Sequence, residues 1–316
     1  MKNFIIIGLG KLGVRHLQGL LNADIPAHIY CVELNLNAVK DAKEKSLEIN
    51  HECVLIFLNE IPKGINFQIG IQSTNSSERY HLSKKLLETN NVEHLIIEKV
   101  IFTKAHKYSL FSHDLKQVKT KCWVNHVRRL FPHYQSIQKK LDSKIPISGS
   151  VSGSGWGLAS NALHFIDLFE FLSQSKVNEI CTEGLQEFFP GKRKGYIEIN
   201  GLLKVKFENS STLFIYCGDG DFNGIAINIS NGGHHYYINE GQGNIMSDPL
   251  KNTTQNIHPL MVTQTTADVT KELLIRDECN LPNYSNIHET HEMFIKSLNH
   301  YFQKHPNEII TSLQIT

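Results

Sequence analysis

A glycine-rich turn near the start of the chain is the first feature whose spacing fits a chemical role. In MKNFIIIGLGKLGVRH, an apolar stretch meets a helical pattern through Gly8, Gly10 and Gly13. In a strand–turn–helix unit, such glycines permit a tight turn, close approach of a pyrophosphate and close packing of helix on strand. The spacing therefore predicts a dinucleotide site, and we expect Lys11 and Leu12 of the same turn to contact the cofactor.

Glu33 indicates which dinucleotide is preferred. It ends the second predicted strand, about 20 residues beyond the last glycine of the turn, where an acid binds ribose hydroxyls and repels a 2′-phosphate. Taken alone, it could also be a solvated residue at a strand end. Together with the turn, it favours NAD over NADP.

Two residues are candidates for moving protons. Lys99 follows the fifth predicted strand, where ligands of open α/β sheets bind, and its ammonium could stabilise a developing alkoxide. His164 lies in the helical pattern of residues 161–173, and an imidazole with a pKa near ~6.5 can exchange a proton around neutral pH. The alternatives are a solvated lysine and a histidine of the core or of a helix cap.

The elements that would position these residues fall into two groups. Up to about residue 120, apolar strands alternate with helix-sized segments, which predicts a Rossmann-type doubly wound parallel α/β sheet. From there, closely spaced strand-like segments and hairpin signals predict an α+β domain with a large, mainly antiparallel open sheet. We therefore expect a dinucleotide-binding domain over 1–120 and a substrate-binding and oligomerisation domain over 121–316, whose C-terminal tail can pack back on the first.

Composition excludes several functional classes. The 316 residues carry a formal net charge of +1, 41% hydrophobic residues and 20% charged residues. This balance is typical of a globular protein and argues against nucleic-acid binding. The six scattered cysteines form no CxxC pair, and no apolar run approaches the ~20 residues of a membrane span. We expect a cytoplasmic protein with reduced thiols and no membrane contact.

Six segments in order resemble one family. The chain is similar to the glucose–fructose oxidoreductase / inositol dehydrogenase (Gfo/Idh/MocA) family in its glycine turn, the Glu98-Lys99 pair, and the segments IQSTNSSERYHL, VNHVRRLFP, WGLASNALHFIDLFEFL and SLQIT. The resemblance implies hydride transfer between nicotinamide and a secondary hydroxyl or keto group of a sugar or nucleotide-activated sugar. It also implies a homodimer or homotetramer joined through the second sheet. A non-catalytic NAD-binding regulator and a reductase of a non-sugar carbonyl or imine remain alternatives.

The resemblance also implies roles for particular residues. Cofactor contacts are expected from Ser73, Thr74, Asn75, Glu98 and Lys99. Substrate contacts are expected from Lys99, Asn125, Arg129, Trp156, Ser160, Asn161 and His164, with Lys99 and His164 catalytic. For Arg129, a structural ion pair is an equal alternative.

The chain departs from the family pattern at two positions. Val100 replaces a proline, so we expect a trans peptide bond after Lys99. Ser160 replaces an aspartate four residues before His164, so it cannot act as the same carboxylate.

The HETHE and GGHHYY clusters lack a third group with metal-site spacing, so we expect no metal. The GKRKG segment (191–195) is a basic loop that is either solvated or near a substrate phosphate.

Overall fold

The computed structural model describes residues 1–192, 195–247, 253–305 and 314–315. The chain divides into two compact units, each assembled from two separate stretches of sequence. The first contains Met1–Val127 and Leu260–His288, and the second contains Arg128–Pro259 and Glu289–Thr316. No helix in the described ranges has the length and apolar character needed to cross a membrane.

The first unit is built on a six-stranded parallel sheet. Its strands are β1 (Lys2–Ile7), β2 (Ala27–Val32), β3 (Val54–Leu58), β4 (Asn66–Gln72), β5 (Asn91–Ile97) and β6 (Lys121–Val124). They lie in the order β3-β2-β1-β4-β5-β6. The order reverses between β1 and β4, and ligands of open α/β sheets bind at such a switch point.

Helices connect these strands. They are α1 (Lys11–Asn22), α2 (Leu36–Ser46), α3 (Ser76–Thr89) and α4 (His106–Lys116). The apolar strand residues, such as Phe4, Ile5 and Ile6, are fully buried, as expected for a parallel sheet covered on both faces. The predicted Rossmann-type sheet is confirmed.

Two features of this unit differ from the sequence analysis. β6 pairs in parallel with β5, although its segment was grouped with the antiparallel strands. A helix from late in the chain, α7 (Val262–Arg276), packs on α1. A side chain at Gly19 of α1 would come within 2.5 Å of Thr266 Cβ, so glycine permits this close approach.

The second unit is built on an eight-stranded sheet. Its strands are β7 (Ser148–Ser154), β8 (Val177–Pro190), β9 (Ile197–Phe207), β10 (Thr212–Gly218), β11 (Ile225–Asn231), β12 (His234–Asn239), β13 (Asn244–Ser247) and β14 (Thr253–Asn256). The order is β14-β13-β12-β11-β7-β10-β9-β8. Within this second sheet, β7 and β10 are the only described strands that pair in parallel, so the mainly antiparallel sheet is confirmed.

Helices complete the second unit. A short 3₁₀ helix, η1 (Val127–Leu130), leads to α5 (Pro132–Lys140), α6 (Leu158–Ser173) and α8 (Tyr284–Lys304), which begins in the first unit. Helix α6 packs on β9 and β10, and Gly149 leaves room on β7 for Phe169 of this helix. Near the end of the chain, the Gln314 carbonyl accepts a hydrogen bond from Ile197 N (2.8 Å). Most of SLQIT, and Arg193 and Lys194 of GKRKG, lie outside the described residues.

Candidate functional site

The predicted cofactor residues of the first unit, and the predicted substrate residue Asn125, lie at one edge of its sheet. The glycine turn follows β1, Glu33 follows β2, Ser73 follows β4, Glu98 follows β5 and Asn125 follows β6. Because the strands are parallel, all of these segments leave the sheet at its carboxyl edge. The fold therefore brings together residues that are far apart in the sequence.

The three glycines of the turn have different roles. Gly8 has φ +93°, and a Cβ there would lie 2.9 Å from Thr74. A Cβ at Gly13 would come within 2.0 Å of the Gly8 carbonyl oxygen, so this position packs the helix against the turn. A Cβ at Gly10 would meet nothing within 4 Å. Gly10 is thus the glycine beside which open space remains.

Helix α1 begins at this open glycine. Gly10 is the N-cap, and no side chain caps the helix. Lys11 is exposed and Leu12 is half-buried in the first turn. Uncapped N–H groups at a helix N-terminus attract phosphate through hydrogen bonds and the helix dipole. The glycine turn therefore fits a pyrophosphate.

Glu33 is oriented by backbone amides. Its Oε2 accepts a hydrogen bond from Leu9 N (2.7 Å) in the glycine turn, and its Oε1 accepts from Leu34 N (2.9 Å) and Asn35 N (2.8 Å). Each carboxylate oxygen has more than one lone-pair direction. The carboxylate is therefore fixed beside the turn and can still accept hydrogen bonds from hydroxyl groups.

The segment after β4 closes against the glycine turn. Ser73 Oγ donates to the Gly8 carbonyl (2.6 Å), and Thr74 Oγ1 donates to Gln72 Oε1 (3.0 Å). Asn75 is the N-cap of α3 but makes no side-chain cap bond. All three predicted cofactor residues are half-buried. Ser73 thus supports the shape of the turn through its own hydrogen bond.

Glu98 lies in a buried polar network. Its Oε1 accepts a hydrogen bond from His16 Nε2 (2.9 Å) and one from Asn125 Nδ2. The other ring nitrogen of His16, Nδ1, bonds Thr266 Oγ1 of α7 at 2.8 Å. Burial opposes ionisation of Glu98, but His16, Asn125 and the charge of Lys99 together hold its pKa below the usual value. Glu98 is therefore a buried carboxylate at neutral pH.

Lys99 is half-buried, and the loop that carries it is held by Arg79 of α3. The Arg79 guanidinium donates to the carbonyls of Glu98 (2.6 Å), Val100 and Thr74. The peptide bond between Lys99 and Val100 is cis, which differs from the trans bond expected for a non-proline residue. Sequence reasoning did not single out His16 or Arg79 as positioning groups, although both lie in segments quoted for the resemblance.

In the second unit, the predicted substrate residues lie around the start of α6. Trp156 is buried, and its Nε1 donates to the Tyr216 carbonyl (3.2 Å). Asn161 Nδ2 donates to the carbonyls of Trp156 (2.8 Å) and Gly157 (3.1 Å). Ser160 and His164 are half-buried. Being four residues apart, they share one face of the helix.

A carboxylate from another element stands beside Ser160. Glu198 of β9 accepts hydrogen bonds from Ala159 N (3.0 Å), Ser160 N (3.4 Å) and Ser160 Oγ. A Cβ at Gly157 would lie 2.9 Å from Glu198 Oε1, so glycine leaves room for this carboxylate. Sequence reasoning missed Glu198 because only the pairing of β9 in the sheet brings it to this helix.

Both arginines after β6 form ion pairs within the second unit. Arg129 donates two hydrogen bonds to the carboxylate of Asp167 in α6, from Nε to Oδ2 (2.9 Å) and from Nη2 to Oδ1 (2.5 Å). Arg128 pairs with Glu240 (Nη2–Oε2 2.9 Å), which also accepts from Tyr134 Oη (2.8 Å). For Arg129, the structure thus shows the ion pair that the sequence left open beside substrate binding.

Burial changes the chemistry of these carboxylates. It raises the pKa of Asp167 to about 6, although Arg129 opposes the shift. For Glu240, burial is outweighed by Arg128 and Tyr134, and the pKa is lowered. Within the described ranges, no group of three or more His, Cys, Asp or Glu is arranged to hold a metal ion.

Comparison with known proteins shows the fold. No protein-family model and no curated protein matches the sequence. Among solved structures, biliverdin reductase from Synechocystis, in complex with biliverdin and NADP⁺, matches with a TM-score of 0.69, 11% identity, and coverage of 95% of this chain and 98% of that chain. UDP-N-acetylglucosamine 3-dehydrogenase from Acidithiobacillus ferrooxidans matches with a TM-score of 0.67 and 10% identity, over 94% of this chain and 95% of that chain. The transcriptional regulator Gal80p from Kluyveromyces lactis matches with a TM-score of 0.68 and 14% identity, over 96% of this chain and 92% of that chain.

These structures extend over nearly the whole chain, so the match covers both units. Identities of 10–14% show a shared fold. The two-domain architecture implied by the Gfo/Idh/MocA resemblance is therefore confirmed, and two of these three neighbours are oxidoreductases.

Proposed function

We propose that this protein is an NAD-dependent oxidoreductase. It transfers a hydride between nicotinamide and a secondary hydroxyl or keto group of a sugar or nucleotide-activated sugar, in carbohydrate biosynthesis. The supporting observation is the uncapped start of α1 at Gly10, where a side chain would meet open space. Packing explains the glycines at positions 8 and 13, whereas close approach of a ligand would explain Gly10.

Glu33 supports NAD as the preferred cofactor. Its carboxylate is fixed by three backbone amides beside the glycine turn. In this position it would accept hydrogen bonds from ribose hydroxyls and repel a 2′-phosphate. We expect Glu33→Gln to narrow the difference between the dissociation constants of NADH and NADPH, measured by nicotinamide fluorescence.

The proposed roles of the reacting residues follow from their chemistry. When bound, nicotinamide supplies the hydride acceptor or donor. Lys99 would donate a hydrogen bond to the reacting oxygen and stabilise its developing charge. His164 would take the hydroxyl proton during oxidation and return it during reduction. Trp156, Ser160 and Asn161 would contact the substrate beside His164.

The test is absorbance at the reduced-nicotinamide band with NAD or NADH, across myo-inositol, glucose and UDP-N-acetylglucosamine. We expect turnover with at least one of them, and a loss of at least about 100-fold in Lys99→Ala and His164→Ala. Lys104→Ala is the matched control, because Lys104 is exposed in the next segment. Turnover that survives both substitutions would overturn the assigned roles.

Two neighbours favour alternative functions of the same fold. Gal80p is a transcriptional regulator and biliverdin reductase acts on biliverdin. Tight NADH binding without turnover of any sugar would favour a regulator. Turnover of biliverdin alone in the same assay would favour a non-sugar reductase.

We also propose that the working form is a cytoplasmic homodimer or homotetramer joined through the second sheet. Phe214, Tyr216 and Tyr237 on its strands are between 37% and 45% exposed, which is high for aromatic side chains. Light scattering gives the mass in solution. A Tyr216→Lys variant that stays in the same oligomer as the wild type would argue against this surface.

A further inference from the structure

His16 connects two parts of the first unit that the proposed reaction uses. It lies in α1, one turn beyond the glycines that would receive the pyrophosphate. Its Nε2 bonds Glu98 Oε1 at 2.9 Å, and Glu98 is the residue directly before Lys99. Both side chains are almost completely buried, at 2% and 5% exposure. This buried bond joins α1 directly to the loop that carries Lys99.

The hydrogen on His16 can be assigned from its partners. A carboxylate only accepts hydrogen bonds, so Nε2 carries the hydrogen toward Glu98. On the other side of the ring, Nδ1 bonds Thr266 Oγ1 at 2.8 Å. The ring is therefore held in place by α7 and directs a donor at Glu98.

The charge on Glu98 acts in turn on Lys99. Around this carboxylate, His16 approaches from α1, Asn125 from the segment after β6 and Lys99 from the same loop, while Arg79 of α3 binds the Glu98 carbonyl. Glu98 and Lys99 stabilise each other's ionised forms, since the attraction between opposite charges is mutual. Without a hydrogen-bond donor from His16, a buried carboxylate would tend to take up a proton.

The geometry points to His16 as a positioning residue that keeps Glu98 ionised and so links the cofactor-binding helix to the charge of Lys99. Cofactor binding at α1 and protonation of Lys99 are then coupled equilibria. Each must change the other by the same factor. This role rests on the proposed function, but the effect of His16 on the pKa of Lys99 can be measured in the protein without cofactor.

The decisive measurement is the pKa of Lys99, followed by NMR after reductive ¹³C-methylation and assigned with Lys99→Arg. In His16→Phe, which keeps a ring but removes both bonds, we expect this pKa to fall by about one unit. His16→Gln retains a donor and should restore most of the shift. Thr266→Val removes only the α7 bond and is the matched control for helix packing, so it should change the pKa less than His16→Phe does.

The second measurement is the NADH dissociation constant, from nicotinamide fluorescence. We expect NADH to bind His16→Phe about tenfold more weakly than the wild type. Saturating NADH should shift the pKa of Lys99 in the wild-type protein and should not shift it in His16→Phe. An unchanged Lys99 pKa in His16→Phe, or equal shifts in His16→Phe and Thr266→Val, would overturn the role of His16. If His16→Phe does not fold, Glu98→Gln decides, because an unchanged Lys99 pKa there would also overturn it.

The two proposals fail in different ways. A wild-type protein that binds neither NADH nor NADPH would refute the proposed function. The Lys99 titration would still decide whether His16 acts through Glu98.

Discussion

Each unit contains a buried carboxylate beside a proposed catalytic residue, but the two are stabilised differently. Glu98, before Lys99, accepts hydrogen bonds from His16 and Asn125 and has a lowered pKa. Asp167, three residues after His164, accepts two hydrogen bonds from Arg129 and still has a raised pKa of about 6. Burial by itself acts to raise the pKa of both carboxyl groups. The comparison shows that one bidentate arginine does not fully offset desolvation, whereas several donors and a neighbouring cation do.

The largest expected effect comes from removing the arginine in the second unit. We expect Arg129→Met to lower the free energy of unfolding by about 3–5 kcal/mol, because it leaves Asp167 buried without its partner. Urea unfolding at pH 8 measures this. Arg129→Lys, which keeps the charge, should lose less. Equal losses in the two variants would show that the charge alone does not stabilise Asp167, because both variants keep an aliphatic stem and lack the planar guanidinium.

The pH dependence of stability should separate the two carboxylates. Asp167 has an ordinary pKa of 3.8 and a folded value of about 6, so the folded state holds the extra proton between these values. The contribution of Asp167 to the free energy of unfolding is fully present below pH 3.8, and it falls by about 3 kcal/mol as pH rises through 6. Urea unfolding of Asp167→Asn across this range should lack that decline.

Glu98 should act in the opposite sense. Its folded pKa lies below the ordinary 4.5, so its stabilising contribution is present above pH 4.5 and lost as pH falls through the folded value. Glu98→Gln should therefore destabilise the protein more at pH 7 than at pH 3, as measured by urea unfolding. The same loss at both pH values would contradict an ionised Glu98.

The glycine turn gives a smaller effect with an internal control. Gly13→Ala should cost about 1–3 kcal/mol, because its Cβ would come within 2.0 Å of the Gly8 carbonyl. Gly10→Ala should change stability by less than about 0.5 kcal/mol, since its Cβ meets open space. Its effect should appear in NADH binding, measured by fluorescence. Unchanged NADH affinity in Gly10→Ala would remove the main support for a pyrophosphate at this turn.

The smallest effect concerns Glu198. Glu198→Gln should lower the free energy of unfolding by about 1 kcal/mol, because a charged acceptor is lost at the start of α6. Thermal unfolding measures this, with Glu183→Gln on the exposed side of β8 as the control. Equal changes in both variants would show that Glu198 does not stabilise the helix.

Local patterns were enough to predict the first sheet and most of the residues that lie at its carboxyl edge. The strand–turn–helix order around Gly8 and the strand end at Glu33 depend on residues close in sequence. The β6 strand was grouped with the wrong sheet because four residues do not reveal whether their partner is parallel. Strand β8 and helix α7 were not predicted, because β8 pairs with irregular register and α7 gains its place by packing on α1.

The polar partners of the site were harder to predict. Arg129 and Asp167 are 38 residues apart, and His16 and Thr266 are 250 residues apart. The sequence supplied each residue but not the pairing, since that depends on the finished sheet and on the return of α7. Ser160 illustrates this: the sequence showed no carboxylate at that position, and the fold brings Glu198 to it.

The discontinuous first unit has a consequence for how the protein is made. Its sheet is complete once Val124 has been synthesised, but α7, which packs on α1 at Gly19, lies more than a hundred residues further along the chain. During translation, the ribosome releases all strands of the second sheet before α7. The nascent first unit therefore lacks the α7 contact on α1 until the second sheet has been synthesised.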